Sequence, residues 1–251
     1  MFKMKCISIL TMALLITILD AKQLPPYLKI CKRFDPEISK CWKNTFEELL
    51  PYLAKGIPEF KIPPLNPFNI DTLQLNQGNS ENIHFTAHLS NVTFSEANDF
   101  NVVSADVNYT TMVIKLTLFF PHLIMNGDYT AKGRVLLFQF DSKGRVEGDF
   151  KGMLINGTYM LETVKKGGQE YLHIKESTHN VDIKNIYIYM HDLFRNNPEI
   201  TANVNKAINE NVDVLYEDFR PLLRETFSTI INEYTNRAYS QYPFDQLLPI
   251  N

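Results

Sequence analysis

The longest regular alternation of apolar and polar positions covers residues 198–239. Apolar residues recur there at steps of three or four, the spacing of one face of an α-helix. Their average step exceeds about 3.6 residues, so the apolar stripe winds around the helix, as suits a helix wrapped by a twisted sheet. The pattern predicts one long helix capped by Asn196 or Asn197 and bent at Pro221; two helices broken at Pro221 are the alternative. The stripe consists of Ile200, Val204, Ile208, Val212, Leu215, Phe219, Leu223, Phe227, Ile230, Tyr234 and Ala238.

The apolar period changes to two between residues 70 and 191, as expected for strands with one buried face. A slip of phase near Asn91 predicts a β-bulge, and the segments 142–144 and 166–168 carry turn signals. Strands here follow one another without intervening helices, which predicts an antiparallel meander and an α+β fold. A wide sheet that curls around the long C-terminal helix would bury the apolar faces of both, within an elongated body.

A short helix is predicted at residues 36–54, with Asp35 as its cap and Pro36 at its first position. Plain core packing is the favoured interpretation of its apolar face, and a movable flap over an apolar pocket is the alternative. The proline-rich residues 57–69 that follow predict a stiff, extended connector. The apolar face of the helix consists of Ile38, Cys41, Trp42, Phe46, Leu49, Leu50 and Leu53.

Residues 1–21 have the pattern of a secretion signal, with Lys3 and Lys5 ahead of the apolar residues 6–19. An uncleaved membrane anchor is the alternative interpretation. No other stretch is long and apolar enough to suggest stable membrane insertion. The sequence therefore predicts an exported chain with a single domain at residues 22–251.

Export determines how the cysteines are interpreted. Cys6 leaves with the signal, so Cys31 and Cys41 remain as an even number in an oxidising compartment. We expect them to form a disulfide, which closes a short loop and stabilises the fold by roughly 2.5–3 kcal/mol on the chain-entropy model. Asn91, Asn108 and Asn156 begin Asn-x-Thr sequons, of which we expect one or two to be glycosylated.

Charge and motifs argue against several classes of function. The formal net charge of −3 does not suit a nucleic-acid-binding protein, which needs a basic surface. His84 and His88 are four residues apart, but on a strand they share a polar face, so we predict no metal site. No nucleophile elbow, zinc-protease, P-loop or dinucleotide-binding motif is present, and we predict neither an enzyme nor a cofactor.

A set of short segments runs from the first cysteine of the mature chain to its C-terminal end. It includes Cys-Lys-Arg-Phe-Asp-Pro at residues 31–36, the second cysteine at 41, Pro-Tyr-Leu-Ala-Lys-Gly-Ile-Pro-Glu at 51–59 and Ile-Pro-Pro-Leu at 62–65. Gly-Asp-Tyr at 127–129 with Gly133, Leu-Phe at 193–194, Asn-Glu-Asn at 209–211, Pro221 and Pro-Phe-Asp-Gln-Leu at 243–247 extend it over the mature chain. These segments resemble the takeout/juvenile hormone-binding protein family of insects. With only one cysteine pair, the mature chain is closer to the takeout branch of that family. Phe34 stands where the family usually has serine.

The resemblance implies a curved antiparallel sheet around a long C-terminal helix, related to the lipid-binding domains of bactericidal/permeability-increasing proteins. It also implies an internal apolar tunnel for a terpenoid, juvenile-hormone-like or fatty-acid-like ligand, and roles in feeding, circadian output or chemosensation. The expected function is a secreted carrier in haemolymph or another extracellular fluid. The alternatives are an interaction protein that acts through a protein receptor, and a lipid esterase. The side chains expected to line the tunnel are Trp42, Phe46, Leu49, Leu50, Leu53, Phe219, Leu223, Phe227 and Tyr234.

Overall fold

A computed structural model describes residues 22–78, 82–195 and 197–250. The predicted signal lies outside these residues, and the division into a signal at 1–21 and one domain at 22–251 stays a prediction. No helix in the described ranges has the length and apolar content needed to cross a bilayer. In chain order the elements are α1 (Ile38–Lys55), a 3₁₀ turn (Pro58–Phe60), β1 (Phe68–Gln77), β2 (Ile83–Ser95), β3 (Asn101–Asn108), β4 (Val113–Val135), β5 (Phe138–Lys166), β6 (Gln169–Met190), α2 (Pro198–Glu210), α3 (Val212–Tyr239) and α4 (Phe244–Leu247).

Six strands form one antiparallel sheet; five of them follow the order β1-β2-β4-β5-β6, and β3 pairs with β4 outside this order. Strand β4 is long enough to pair with β3 along its first half and with β2 along its second half. Helices precede and follow the strands in the chain, as the sequence predicted, so the α+β class with an antiparallel meander is confirmed.

The sheet is curved because its longest strands bend at irregular positions. Strand β5 has 29 residues, and a straight strand of that length would measure about 95 Å at about 3.3 Å per residue. The β4–β5 ladder skips Pro121 and Gly152, and Gly152 has a φ of +66°. The register of β2 against β4 shifts between Ser90 and Thr93, which confirms the bulge predicted near Asn91.

The first helix begins two residues later than predicted, at Ile38. The Asp35 carboxylate accepts a hydrogen bond of 2.8 Å from the Glu37 backbone N–H, and this local turn keeps Pro36 and Glu37 out of the helix. The helix ends at Lys55, and Gly56 follows with a φ of +82°.

The C-terminal helix is interrupted at Asn211, not at Pro221. Asn211 has a φ of −115° and a ψ of 20°, and its side-chain amide donates to the carbonyl of Ala207 at 2.8 Å. This contact competes with the helical backbone bonds and ends α2. Pro221 lies inside α3 with its side chain exposed, so the helix continues through that position and the alternative of a break there is wrong. The single helix predicted over residues 198–239 is instead divided at Asn211. The Asn197 cap is confirmed, since its side chain accepts from the Ile200 N–H.

One predicted turn is confirmed and another is wrong. Gly167 and Gly168 connect β5 to β6 with positive φ. Residues 142–144 instead lie within β5, and the β4–β5 turn falls at Leu136, whose φ is +52°. Gly144 is needed for close approach, because a Cβ atom there would lie 2.2 Å from the carbonyl oxygen of His191.

The C-terminal helices cover the free edge of β6 through asparagine side chains. Asn205 accepts from the Met190 N–H at 2.8 Å and donates to the Met190 carbonyl at 2.9 Å. Asn209 makes the same pair of bonds with Ile188, at 2.9 and 2.8 Å. Asn236 of α3 makes the same pair of bonds with the backbone of Ile174 on β6. These amides occupy the positions of a missing neighbour strand, so β6 is not left as an open edge.

Helix α3 also reaches the opposite edge of the sheet. Tyr234 meets Phe68 of β1 edge-on, with ring centroids 5.5 Å apart, and the Gln77 side chain donates to the Asp218 carbonyl at 3.0 Å. The helix therefore bridges β1 and β6 and closes the curved sheet into a roll. This arrangement confirms the predicted sheet around a long helix.

The disulfide between Cys31 and Cys41 is present, as predicted. It joins the segment before α1 to the first turns of that helix, and Cys31 is buried. Replacing both cysteines with serine should lower the free energy of unfolding by roughly 2.5–3 kcal/mol, since the unfolded chain regains the entropy of an open loop. Urea denaturation of the double variant tests this value, with the reduced wild-type protein as its control. A loss below about 1 kcal/mol would contradict it.

Candidate functional site

The concave side of the sheet faces the apolar stripe of α3. Leu215 and Ala238, near the two ends of the helix, are 5% and 8% exposed. The stripe residues between them are only partly buried. Close-packed interiors leave little accessible area on apolar side chains. The middle of α3 is therefore not fully packed against the sheet.

Contacts establish which way this part of the helix faces. Phe219 stacks on Phe85 of β2, with ring centroids 5.9 Å apart. Phe227, two turns further on, packs against the buried cluster that contains Met153 and Val181. Leu223 lies between them on the same face but packs against none of the five buried clusters in the described chain. Phe219, Ile230 and Tyr234 are likewise outside these clusters, so most of the middle of the stripe packs against none of them.

Helix α1 covers one end of this interior. Trp42 and Phe46 are stacked with ring centroids 4.8 Å apart, and Phe46 continues to Phe100 at 5.9 Å. Leu49 and Leu50 are also only partly buried. They pack, together with Phe46, against the buried cluster to which Leu53 belongs. Leu53 is 6% exposed, so it belongs to the core.

A polar group lies inside the roll, between β5, β6 and α3. The His179 side chain is 2% exposed. Its Nδ1 is 2.8 Å from the Ser228 hydroxyl, and its Nε2 is 3.0 Å from the Tyr159 hydroxyl. Burial lowers the pKa of His179 to about 4 and raises the pKa of Tyr159. All three side chains are therefore neutral near pH 7.

Sequence reasoning missed this group. The sequence did carry one signal, because His179 lies two residues before the buried Val181 and so shares its inward face on β6. Nothing in the sequence pairs His179 with Ser228 or Tyr159, which are 49 and 20 residues away.

The depressed pKa of His179 predicts a loss of stability in mild acid. Between about pH 6.5 and pH 4 the unfolded chain binds a proton at His179 that the folded chain does not, so stability falls as the pH falls through this window. The full effect is up to about 3 kcal/mol. Replacing His179 with glutamine should flatten the pH dependence of the unfolding free energy in that window. Equal slopes in the two proteins would contradict the prediction.

The other predicted positions lie on the outside of the roll. His84 and His88 are both exposed on β2. Asn91 and Asn108 are exposed, whereas Asn156 is partly buried and its side-chain oxygen accepts from the Thr117 hydroxyl at 2.9 Å. Glycosylation stays a prediction for all three, and the exposure favours Asn91 and Asn108.

Two surface clefts follow the seam between β6 and the C-terminal helices. One has a volume of about 370 Å³ and is lined by α2 residues and by Tyr187 and Tyr189 of β6. The second, of about 390 Å³, lies beside Arg220 and Asp182. Neither contains a side chain that the sequence predicted to line a tunnel.

Comparisons with known proteins give a consistent identification. The family model described as haemolymph juvenile hormone binding protein matches residues 8–249. A Drosophila yakuba protein, circadian clock-controlled protein daywake, is 26% identical over 236 residues, which are 91% of this chain and 90% of the relative. The crystal structure of Takeout 1 from Epiphyas postvittana matches with a TM-score of 0.72 at 18% identity, covering 87% of this chain and 98% of that one. A lipopolysaccharide binding protein structure reaches a TM-score of 0.39, too low to establish a shared fold.

The family model covers nearly the whole chain, and the Takeout 1 structure shares the curved sheet and its helix. The chain belongs to the takeout/juvenile hormone-binding protein family.

Proposed function

We propose that this protein is a secreted carrier that holds a small hydrophobic ligand inside the roll. The single observation that carries this proposal is the partly exposed apolar stripe in the middle of α3. Such side chains would lose accessible area in a close-packed core, and they would gain contacts if a lipophile lay between helix and sheet.

The proposed ligand lies along α3, with α1 covering one end of its space. Leu53 is 6% exposed and belongs to the core, so it is left out of the proposed lining. The remaining side chains predicted from the sequence are partly exposed and are proposed to contact the ligand. They are Trp42, Phe46, Leu49, Leu50, Phe219, Leu223, Phe227 and Tyr234.

The proposed mechanism is sequestration from water. Each Å² of ligand surface that moves from water into the apolar interior contributes about 25 cal/mol to binding. The predicted signal, the disulfide and the exposed sequons support a location in haemolymph or another extracellular fluid. The clock-controlled relative supports a role in rhythmic physiology as one hypothesis.

Mass spectrometry of an organic extract tests the carrier proposal. The protein is purified from secreting insect cells, and we expect a lipophilic compound in stoichiometric amount. A fluorescent apolar probe should also bind, and added terpenoids or fatty acyl compounds should displace it. A blank extract together with no probe displacement would reject the carrier and favour an interaction protein that acts through a receptor.

The contact between Ser228 and His179 also supports a second candidate, a lipid esterase. A serine hydroxyl 2.8 Å from an imidazole nitrogen is the arrangement of an activated nucleophile. A histidine with a pKa of about 4 is a weak base, however, and its second nitrogen meets a tyrosine instead of a carboxylate. Covalent labelling by a fluorophosphonate that is lost in Ser228→Ala would support the esterase, and absence of labelling would reject it.

A further inference from the structure

The turn between β4 and β5 carries leucine where turn geometry favours glycine or asparagine. The two strands pair as far as Val135 and Phe138, so a turn of two residues connects them. These residues are Leu136 and Leu137. Leu136 has a φ of +52°, in the left-handed region that glycine, asparagine and aspartate adopt most easily. The geometry of the turn therefore does not explain why it is built from leucines.

Leu137 is the most exposed large apolar side chain in the described chain, at 90%. Phe138 beside it is 37% exposed. Leu136 packs back against the buried cluster that contains Ile83 and Leu215, which fixes the turn to the body of the protein. A scattered exposed leucine needs no explanation, but one at a turn whose backbone disfavours leucine indicates a function. We call Leu137 and Phe138 the apolar tip.

The apolar tip lies at the end of the roll that α1 does not cover. Its neighbour Leu136 packs in the same cluster as Phe85, and Phe85 stacks on Phe219 of α3. Helix α1 packs instead with the cluster that contains Ala238, at the other end of α3. The β4–β5 ladder also continues past the last residue of β6, so the tip projects beyond that strand.

Basic side chains lie on the outer face of the sheet directly behind the tip. The outward cross-strand pairs nearest the turn are Arg134 with Gln139, Lys132 with Asp141, and Thr130 with Lys143. These pairs hold three cations and one carboxylate, although the whole chain has a formal net charge of −3. The Arg134 guanidinium donates to the Leu136 carbonyl at 2.7 Å, which holds it next to the turn. We call Lys132, Arg134 and Lys143 the basic face.

An apolar tip with cations behind it suits a lipid surface better than a protein. A convex tip offers little area for a stable protein interface, which buries about 800 Å² on each partner. A leucine that enters the boundary between headgroups and acyl chains needs no preformed groove. Lysine and arginine close to anionic headgroups each add a favourable electrostatic contribution.

We propose that the apolar tip docks reversibly at a lipid surface that contains anionic headgroups, with the basic face against those headgroups. The Phe219 end of α3 is then the end of the roll directed toward the lipid. This inference goes beyond the carrier proposal and does not depend on it, because docking requires only residues of the β4–β5 hairpin.

Vesicle flotation of the protein purified from secreting cells tests this inference. Vesicles of phosphatidylcholine alone are compared with vesicles of phosphatidylcholine and phosphatidylserine, at low and at high salt. We expect binding to the anionic vesicles that weakens as salt is added, and much weaker binding to the neutral vesicles. Leu137→Ser should lower the partition coefficient about tenfold, and Lys143→Gln should lower it about fivefold.

Val103→Ser and Lys115→Gln are the matched controls. Val103 is 53% exposed on β3, and Lys115 is exposed on the half of β4 that pairs with β3, away from the turn. Both variants should bind vesicles as the wild type does. Leu137→Ser should keep the wild-type free energy of unfolding, because the native side chain is 90% exposed.

An environment-sensitive dye reports whether the tip enters the lipid. Leu137→Cys that carries the dye should show a blue-shifted emission on anionic vesicles, whereas Val103→Cys with the same dye should show no shift. Charge alone would hold the protein at the surface without moving either dye out of water.

Three results would overturn the inference. They are vesicle binding that Leu137→Ser leaves unchanged, equal binding to neutral and anionic vesicles, and no binding to either kind. The last result would favour a protein as the partner of the tip. None of them affects the carrier proposal, which the organic extract and probe displacement test separately.

Discussion

Replacing Leu223 with tryptophan should weaken the binding of an apolar probe at least tenfold while leaving the protein folded. Leu223 faces inward between Phe219 and Phe227 but packs against none of the buried clusters in the described residues. A larger side chain there would fill space that the ligand is proposed to occupy. Inserting extra atoms into a well-packed core costs about 1–3 kcal/mol of stability, so a small stability change would itself indicate free space.

Fluorescence titration measures the affinity, and urea denaturation measures the free energy of unfolding. The matched control is Val214→Trp on the same helix, where the native side chain is 53% exposed; its affinity should not change. A Leu223→Trp protein that loses stability but binds the probe normally would show that Leu223 belongs to the packed core.

Replacing Asn205 with alanine should lower the free energy of unfolding by about 2–4 kcal/mol. The Asn205 side chain is 1% exposed. It satisfies both backbone groups of Met190 and also donates to the Thr201 carbonyl at 2.9 Å. Each buried polar group left without a partner costs about 1–3 kcal/mol. The edge of β6 would also exchange its amide hydrogens faster, because α2 no longer covers it.

Asn203→Ala is the matched control, since Asn203 lies two residues away on the same helix and is exposed. Its effect should stay within about 0.5 kcal/mol, as for most surface substitutions. Denaturant unfolding of both variants gives the comparison, and hydrogen exchange at Met190 locates the effect. Equal stability of the two variants would contradict the role of Asn205 as a substitute for a neighbouring strand.

The features that the sequence predicted well depend on local spacing. Strand alternation located the bulge near Asn91, and glycines located the turn after Lys166. The errors arose where one local signal had two explanations. Glycine is typical of turns, but Gly144 lies within a strand, where the close approach of the His191 backbone leaves no room for a Cβ atom. Pro221 is typical of a bend or a break and lies inside α3, whereas Asn211, which carries no strong sequence signal, interrupts the predicted single helix through its own side chain.

The candidate site was less predictable than the fold. The apolar spacing correctly indicated that Phe219 and Phe227 are directed toward the sheet. Periodicity gives the direction of a side chain, but it does not reveal whether space remains in front of it. The group formed by Tyr159, His179 and Ser228 could not be assembled from the sequence, because these residues come from β5, β6 and α3 and meet only when the roll closes.

The sequence by itself determined the α+β class, the order of helices and strands, the disulfide and the inward faces of the helices. These properties follow from residue spacing and cysteine number, which act over a few residues. Tertiary structure decided how the sheet closes, since Asn205, Asn209 and Asn236 reach β6 from 15 to 62 residues away. It also decided that the apolar stripe of α3 stays partly exposed and that Tyr159, His179 and Ser228 meet. Packing and polar pairing depend on the distances between elements, and no single segment of the sequence contains those distances.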